Sequence, residues 1–207
     1  MSLEAKQIVF RYPRRGQAAV LNGVSLTLTP GERVGLAAPS GRGKTTLCKL
    51  LAGYERPVSG EILLDGRPLA QYTGACPVQM IWQHPETVLD PLLPLEASLR
   101  EAGPVDRCML EVLHIQPGWL HRYPQELSGG ELQRFCIARA LGPQTRYLLC
   151  DEITAMLDLI TQAQIWQFLL QEAQRRELGL LVVSHNSALL ERVCTRIVTL
   201  AVEGGGV

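Results

Sequence analysis

Hydrophobic and polar positions follow two different rhythms along the chain. Residues 3–10 and 19–28 alternate or run apolar between turn residues, which predicts two antiparallel strands. Arg33-Val34-Gly35-Leu36-Ala37 is a short apolar run bounded by glycines and reads as a buried strand. Leu47, Leu50 and Leu51 then recur at helical spacing, which predicts a helix from Thr45 to Gly53. Ser59–Gly66 is a strand bracketed by glycine turns, and Pro77–Trp82 is another short strand ending at Gln83. The rhythm breaks over residues 84–127, where prolines recur at 85, 91, 94, 104, 117 and 124. Short helical patterns at Glu96–Glu101 and Val105–His114 suggest a small helical subdomain, inserted over about 84–140. Leu127-Ser128-Gly129-Gly130-Glu131 opens a helix to about Leu141. Beyond it the pattern becomes regular: strand Arg146–Cys150, helix Leu159–Arg176, strand Gly179–Ser184, helix Ser187–Cys194 and strand Arg196–Ala201. Gly204–Gly206 reads as a flexible tail. Strands alternating with helices predict a parallel sheet, and such sheets bind ligands at the carboxyl ends of their strands.

Composition narrows the setting. The chain has 207 residues, 46% hydrophobic and 19% charged, enough for one core-bearing domain and too apolar for wholesale disorder. A formal net charge of zero argues against a nucleic-acid binder that works by bulk electrostatics. Apolar runs fall short of the roughly 20 residues of a membrane span, and Met1–Phe10 lacks a signal-peptide core. The expectation is a soluble, cytoplasmic protein. The six cysteines form no C-x-x-C pair, so free, buried thiols are expected.

The chemistry gathers around the loop Ala38-Pro39-Ser40-Gly41-Arg42-Gly43-Lys44-Thr45-Thr46, which joins a predicted strand to a predicted helix. Glycines there let backbone N–H groups turn toward an anion, and the helix N-terminus adds positive partial charge. Lys44 can reach the β- and γ-phosphates of a nucleotide, and the Thr45 hydroxyl can ligate Mg²⁺. The pattern is G-x-x-x-x-G-K-[ST] with Ala38 at its first position, a change that matters if that position needs positive φ. Asp151 closes the apolar run Tyr147–Cys150, where a carboxylate needs a partner such as a hydrated Mg²⁺ beside Thr45. Glu152, next to it, can orient or deprotonate an attacking water. The bland alternative for this pair is a helix cap, Asp-Glu-x-Thr. His185 and Gln83 also end strands, where an imidazole can contact a γ-phosphate and an amide can touch both metal and water. Ser128, Gly129 and Gly130 at a helix start form a second potential anion site, with an ordinary N-cap as the alternative.

Together these motifs resemble the nucleotide-binding subunits of ATP-binding-cassette (ABC) transporters. Walker A corresponds to Ala38–Thr45, the Q-loop to Gln83, the signature to Leu127–Glu131, and Walker B to Tyr147–Asp151 with Glu152 after it. The D-loop ends at Asp158, the switch histidine is His185, and Tyr12 matches the aromatic that stacks on adenine. The resemblance implies an α/β P-loop NTPase fold, with a mostly parallel core sheet, an N-terminal antiparallel β-subdomain and an inserted small α-helical subdomain. It implies ATP and Mg²⁺ as cofactors. Nucleotide contacts would come from Tyr12, Pro39, Ser40, Gly41, Arg42, Gly43, Lys44, Thr45, Thr46 and Asp158. Metal contacts would come from Thr45, Gln83 and Asp151, and catalysis from Glu152, His185 and Gln83. Ser128, Gly129 and Gly130 would serve the nucleotide of a second ATPase subunit, identical or different. Membrane-spanning permease subunits would be direct partners and a solute-binding protein an indirect one. The site of action would be the inner face of the cell membrane.

Within that family the chain is most similar to the peptide and nickel importer ATPases, through Val78–Pro85, Leu89-Asp90-Pro91, Tyr123–Arg134 and Leu157–Gln162. It departs from the pattern at Ala38, His84, Ile153 and Asn186, and it stops soon after the last strand, where peptide-importer ATPases usually continue. DNA-repair ATPases of the superfamily need a long coiled coil, and translation-associated members need two cassettes; this chain has neither pattern. A scaffold ATPase without a membrane partner is the remaining alternative.

Overall fold

The computed structural model describes residues 1–13, 19–39, 41–155 and 157–200. Ser40, part of the loop 11–17 and the glycine tail therefore lie outside the described residues. In chain order the elements are β1 (Leu3–Phe10), β2 (Leu21–Leu28), β3 (Arg33–Ala37), α1 (Lys44–Leu51), β4 (Ser59–Leu64), β5 (Arg67–Pro68) and β6 (Val78–Ile81). They continue with α2 (Leu95–Arg100), α3 (Arg107–Val112), α4 (Gly129–Ala140), β7 (Tyr147–Asp151), α5 (Leu159–Arg176), β8 (Gly179–Val183), α6 (Ser187–Val193) and β9 (Arg196–Thr199).

The strands form two sheets. A four-stranded antiparallel sheet runs β2-β1-β4-β5, and a five-stranded parallel sheet runs β6-β7-β8-β3-β9. The period of two along each parallel strand decides which core each residue joins. Leu148, Cys150, Leu180 and Val182 face the cluster built with α4, α5 and α6. Tyr147, Leu149, Leu181, Val183, Val34 and Leu36 face the opposite cluster, made with α1 and the antiparallel sheet. Strands buried on both faces explain why β7 and β8 read as continuous apolar runs.

The expected elements form, with boundary shifts of a residue or two. The helices of the proline-rich stretch are short, six residues each for α2 and α3, because prolines remove backbone donors between them. The α5 helix starts at Leu159, capped by Asp158, whose carboxylate accepts from the N–H groups of Ile160 and Thr161. At its far end Arg176 reaches back and donates to the carbonyls of Leu141, Gly142 and Thr145, which ties α5 to the turn that launches β7.

All six cysteines are free. Cys48, Cys136 and Cys150 are buried as expected, Cys76 and Cys194 are half-buried, and Cys108 is exposed on α3, too short a helix to bury every face. Burial pushes the Cys136 thiol up to about 12, which leaves it protonated and inert at neutral pH.

Candidate functional site

Four adjacent parallel strands, β6, β7, β8 and β3, point their carboxyl ends the same way. The residues that follow them are Gln83, Asp151 with Glu152, His185, and the glycine loop. These groups are up to 147 positions apart in the chain, from Ala38 to His185, and the strand order alone sets them side by side.

The loop is built for close approach to an anion. Gly41 and Gly43 take φ of 75° and 83°, a region that side chains disfavour. At Gly43 a Cβ would also press within 2.7 Å of the Leu21 side chain and 3.1 Å of the Val20 carbonyl. Ala38 is not among the positive-φ residues, so alanine costs nothing there. Lys44 is buried and its Nζ donates to the carbonyls of Ala38 (2.6 Å) and Pro39 (3.1 Å), so its charge is held over the loop. Thr45 follows Lys44 in the first turn of α1.

Asp151 is 3% exposed, and burial raises its pKa above the ordinary carboxylate value, against the lowering effect of the Thr45 hydroxyl. Glu152 follows in a left-handed conformation, φ 51°, which a non-glycine residue adopts at a cost. That turn swings its carboxylate off the strand. One oxygen lies 2.8 Å from His185 Nε2, and the other accepts from Gln83 Nε2 at 3.2 Å. Asp151 and Glu152 do not cap a helix, because α5 begins only at Leu159. A half-buried carboxylate gripped from two sides, above a lysine-bearing loop, is placed to hold a water against a phosphoryl group.

The loop, Lys44, Glu152, Gln83 and His185 line one cleft of about 840 Å³, with Gly41, Arg42, Gly43, Thr45 and Thr46. Tyr12 closes one side: its ring stands edge-on to Phe10, centroids 4.8 Å apart, and its hydroxyl lies 3.2 Å from Thr46 Oγ1. Val20 and Lys49 also line the cleft and were not foreseen. Lys49 sits on α1 five residues after Lys44, a spacing with no motif to mark it, and stacks its ammonium 5.2 Å from the Trp82 ring centroid.

The remaining expected residues stand elsewhere. Ser128 is the exposed N-cap of α4, in a reciprocal capping box with Glu131: Ser128 N and Oγ donate to Glu131 Oε2 at 2.7 and 2.8 Å. The ordinary N-cap reading is thus locally correct. Gly129 starts the helix and Gly130 packs on Leu157, where a Cβ would come within 2.9 Å of that side chain. Asp158 caps α5. Ser128, Gly129, Gly130 and Asp158 do not line the cleft with Lys44.

The family model for "ABC transporter" matches residues 21–155, about two thirds of the chain and including the glycine loop, Gln83, Ser128 and Glu152. The chain belongs to the ABC transporter family. As a member it is an ATP-binding and ATP-hydrolysing subunit. This ABC ATPase is 36% identical over 211 residues to a nickel import system ATP-binding protein, NikE, of Staphylococcus aureus, covering 96% of this chain and 86% of the relative. It is 36% identical over 200 residues to the nickel import ATP-binding protein NikE of Escherichia coli, covering 88% and 75%. Among solved structures it is similar to a dimeric ATP-binding cassette in a post-hydrolysis state bound to ADP and Pi, with a TM-score of 0.81, 25% identity, and 97% and 94% of the two chains covered.

Proposed function

We propose that this ABC ATPase drives uptake of nickel through a membrane permease, working as a dimer that closes on two ATP molecules. The relatives that carry the printed activity are nickel import proteins, and they align over most of this chain. The observation that carries the catalytic half of the reading is the Glu152 carboxylate, held between His185 and Gln83 above the loop that bears Lys44.

In this reading Lys44 leaves the carbonyls of Ala38 and Pro39 to bind the β- and γ-phosphates, and the N–H groups of residues 41–45 cradle them; Pro39 and Ser40 complete the loop. Tyr12 stacks on adenine. Glu152 takes the proton of the attacking water, and His185 and Gln83 hold that carboxylate in place until the γ-phosphate draws them to itself.

The residues present suit Mg²⁺. Asp151 is a buried carboxylate, and the Thr45 hydroxyl and the charges of Lys44 and Lys49 favour its ionised form against the effect of burial. Thr45, Asp151 and Gln83 would hold the ion, which would neutralise charge on the phosphate oxygens.

Ser128 and Gly129, exposed, and Gly130, half-buried, at a helix N-terminus outside the lining of the chain's own cleft, suit the γ-phosphate of a facing subunit. Gly130 lies against Leu157, the residue before Asp158. The facing subunit is read as a second copy, with a sister ATPase as the alternative. Residues 84–140 are read as the helical subdomain of a single cassette, facing the permease; a solute-binding protein would deliver the metal from outside. Among the described residues no helix is long and apolar enough to cross a membrane, which fits a subunit peripheral on the inner face.

Uptake of radiolabelled nickel by cells lacking the gene tests the transport reading. Restoration by the parent and not by Glu152→Gln is expected. Restored dipeptide uptake with unchanged nickel uptake would transfer the assignment to peptides, and unchanged uptake of both would favour a scaffold ATPase.

A further inference from the structure

The turn that follows β7 is anchored on α5. Glu152 N donates to the carbonyl of Val183 at 3.1 Å, and Ala155 N donates to the carbonyl of Glu152 at 3.1 Å, which closes a turn over residues 152–155. Within it Ile153 and Thr154 are buried. Helix α5 reaches Thr154 with two side chains four residues apart, and so on one face of the helix. Trp166 Nε1 donates to Thr154 Oγ1 at 3.1 Å. Gln162 Nε2 donates to the carbonyls of Thr154 and Leu157 at 2.8 and 2.9 Å. Trp166 is 5% exposed and Thr154 4%, so the indole–hydroxyl bond is shielded from water. Burying that donor and that acceptor is costly unless they meet, and an apolar pair would fill the space more cheaply.

Packing alone does not hold Glu152. It lines the cleft that bears Lys44 and also a second cavity of about 210 Å³, walled by Thr154, Gln162, Trp166, Ser184 and Leu189. The carboxylate therefore has room to withdraw. Its φ of 51° is a conformation that persists only where surrounding contacts over-determine it. Those contacts fall into two sets. One is His185 at 2.8 Å and Gln83 at 3.2 Å, the groups that the γ-phosphate draws away in the proposed reaction. The other is the turn fastened to α5. The α5 set is free of that demand, because neither Trp166 nor Gln162 lines the cleft. Once the first set has left, the second keeps the carboxylate in place.

We propose that Trp166, acting through Thr154, and Gln162 are positioning residues for the hydrolysis step. From α5 they lock the turn 152–155, so that Glu152 keeps its left-handed conformation and its carboxylate stays aimed at the attacking water. The inference rests on the reading of Glu152 as the general base.

The test uses the full chain. Trp166→Phe keeps an aromatic ring and deletes the N–H. Thr154→Val keeps the shape of the side chain and deletes the acceptor, whereas Thr154→Ser keeps the acceptor. Each is measured for the Kd of a fluorescent ATP analogue, for kcat of ATP hydrolysis, and for kcat again in the Glu152→Gln background. The lock predicts that Trp166→Phe and Thr154→Val each lower kcat by about tenfold, below the roughly hundredfold that a 1 Å misplacement costs, with Kd within about twofold of the parent. Both cut the same hydrogen bond, so the double variant falls no further than the worse single one. Thr154→Ser restores kcat to within about threefold of the parent, since the hydrogen bond is kept. In Glu152→Gln, where no base is left to aim, Trp166→Phe changes the residual rate by less than about twofold. Parent kcat in both Trp166→Phe and Thr154→Val overturns the lock. So does an equal loss of affinity and kcat, or a full loss repeated in Glu152→Gln, which is what general destabilisation would give. Hydrolysis by Glu152→Gln at the parent rate is a different failure: it removes the general base, and the lock with it.

Discussion

The glycine-loop edge of the parallel sheet and the N-terminus of α4 both offer backbone N–H groups to an anion, yet they are finished to different degrees. At the sheet edge the loop is closed in by Leu21 and Val20, the lysine is buried, and a carboxylate, an imidazole and an amide are already in mutual contact. At α4 Ser128 and Gly129 are exposed, and among the described residues the Ser128 side chain bonds only with Glu131. The first is the proposed site for the phosphates of ATP, open on one side. The second is a side without a site. Their complementarity, within one chain that cannot bring them together, is what the proposed dimer explains.

The largest effect expected at the sheet edge is on hydrolysis. Glu152→Gln should lower kcat for ATP by about a hundredfold or more, in the range of lost general-base catalysis, while ATP binding persists. Hydrolysis at the parent rate would remove Glu152 from the catalytic role. Lys44→Ala should weaken ATP binding by up to about a hundredfold, the size of one or two charge-assisted hydrogen bonds, with circular dichroism unchanged. Tyr12→Ala should weaken ATP by about tenfold, as loss of base stacking does elsewhere, and Tyr12→Trp should bind like the parent. If the ring merely packs on Phe10, neither substitution alters affinity.

The smallest effect is on stability, and its sign is informative. Burial raises the Asp151 pKa above its unfolded value, so the folded state holds this proton more tightly than the unfolded state. Stability of the nucleotide-free protein is therefore eroded as pH rises from about 3.8 through the raised value, and the cost is complete above it. Asp151→Asn should raise the melting temperature at neutral pH by about 2–4 °C for each kcal/mol relieved in a chain of this size, and leave it unchanged at low pH. The same variant should lose ATPase activity. A variant that is less stable at neutral pH would show that the carboxylate is paired and not waiting for a cation.

Much of this site was legible before any coordinates, for one physical reason. Residues at the carboxyl ends of parallel strands converge, so an apolar run followed by Asp151-Glu152, by His185 or by Gln83 already carries its own address. Ser128 was legible too, as a cap, because Glu131 three residues on completes a capping box. Lys49 was not, since a lysine on the exposed side of a helix has no local signal, and its place over Trp82 depends on packing across β6. The conformation of Glu152 was equally hidden: φ of 51° at a non-glycine position is imposed by the surrounding contacts with Val183, His185 and Gln83.

The central claim is that the loop of one subunit and the α4 turn of another make one working site, and mixed subunits test it most directly. Lys44→Ala lacks the loop's cation, and Ser128→Arg blocks the turn with bulk and charge. Each alone should hydrolyse ATP no faster than background. Mixed in equal amounts, half of randomly paired dimers contain one variant of each kind, and each of these holds one intact site made from Lys44 of one chain and Ser128 of the other. The mixture should recover about a quarter of the parent ATPase rate, by the symmetry of a two-fold dimer. A mixture as inactive as its parts, at protein concentrations where the parent is dimeric with ATP, would contradict the account.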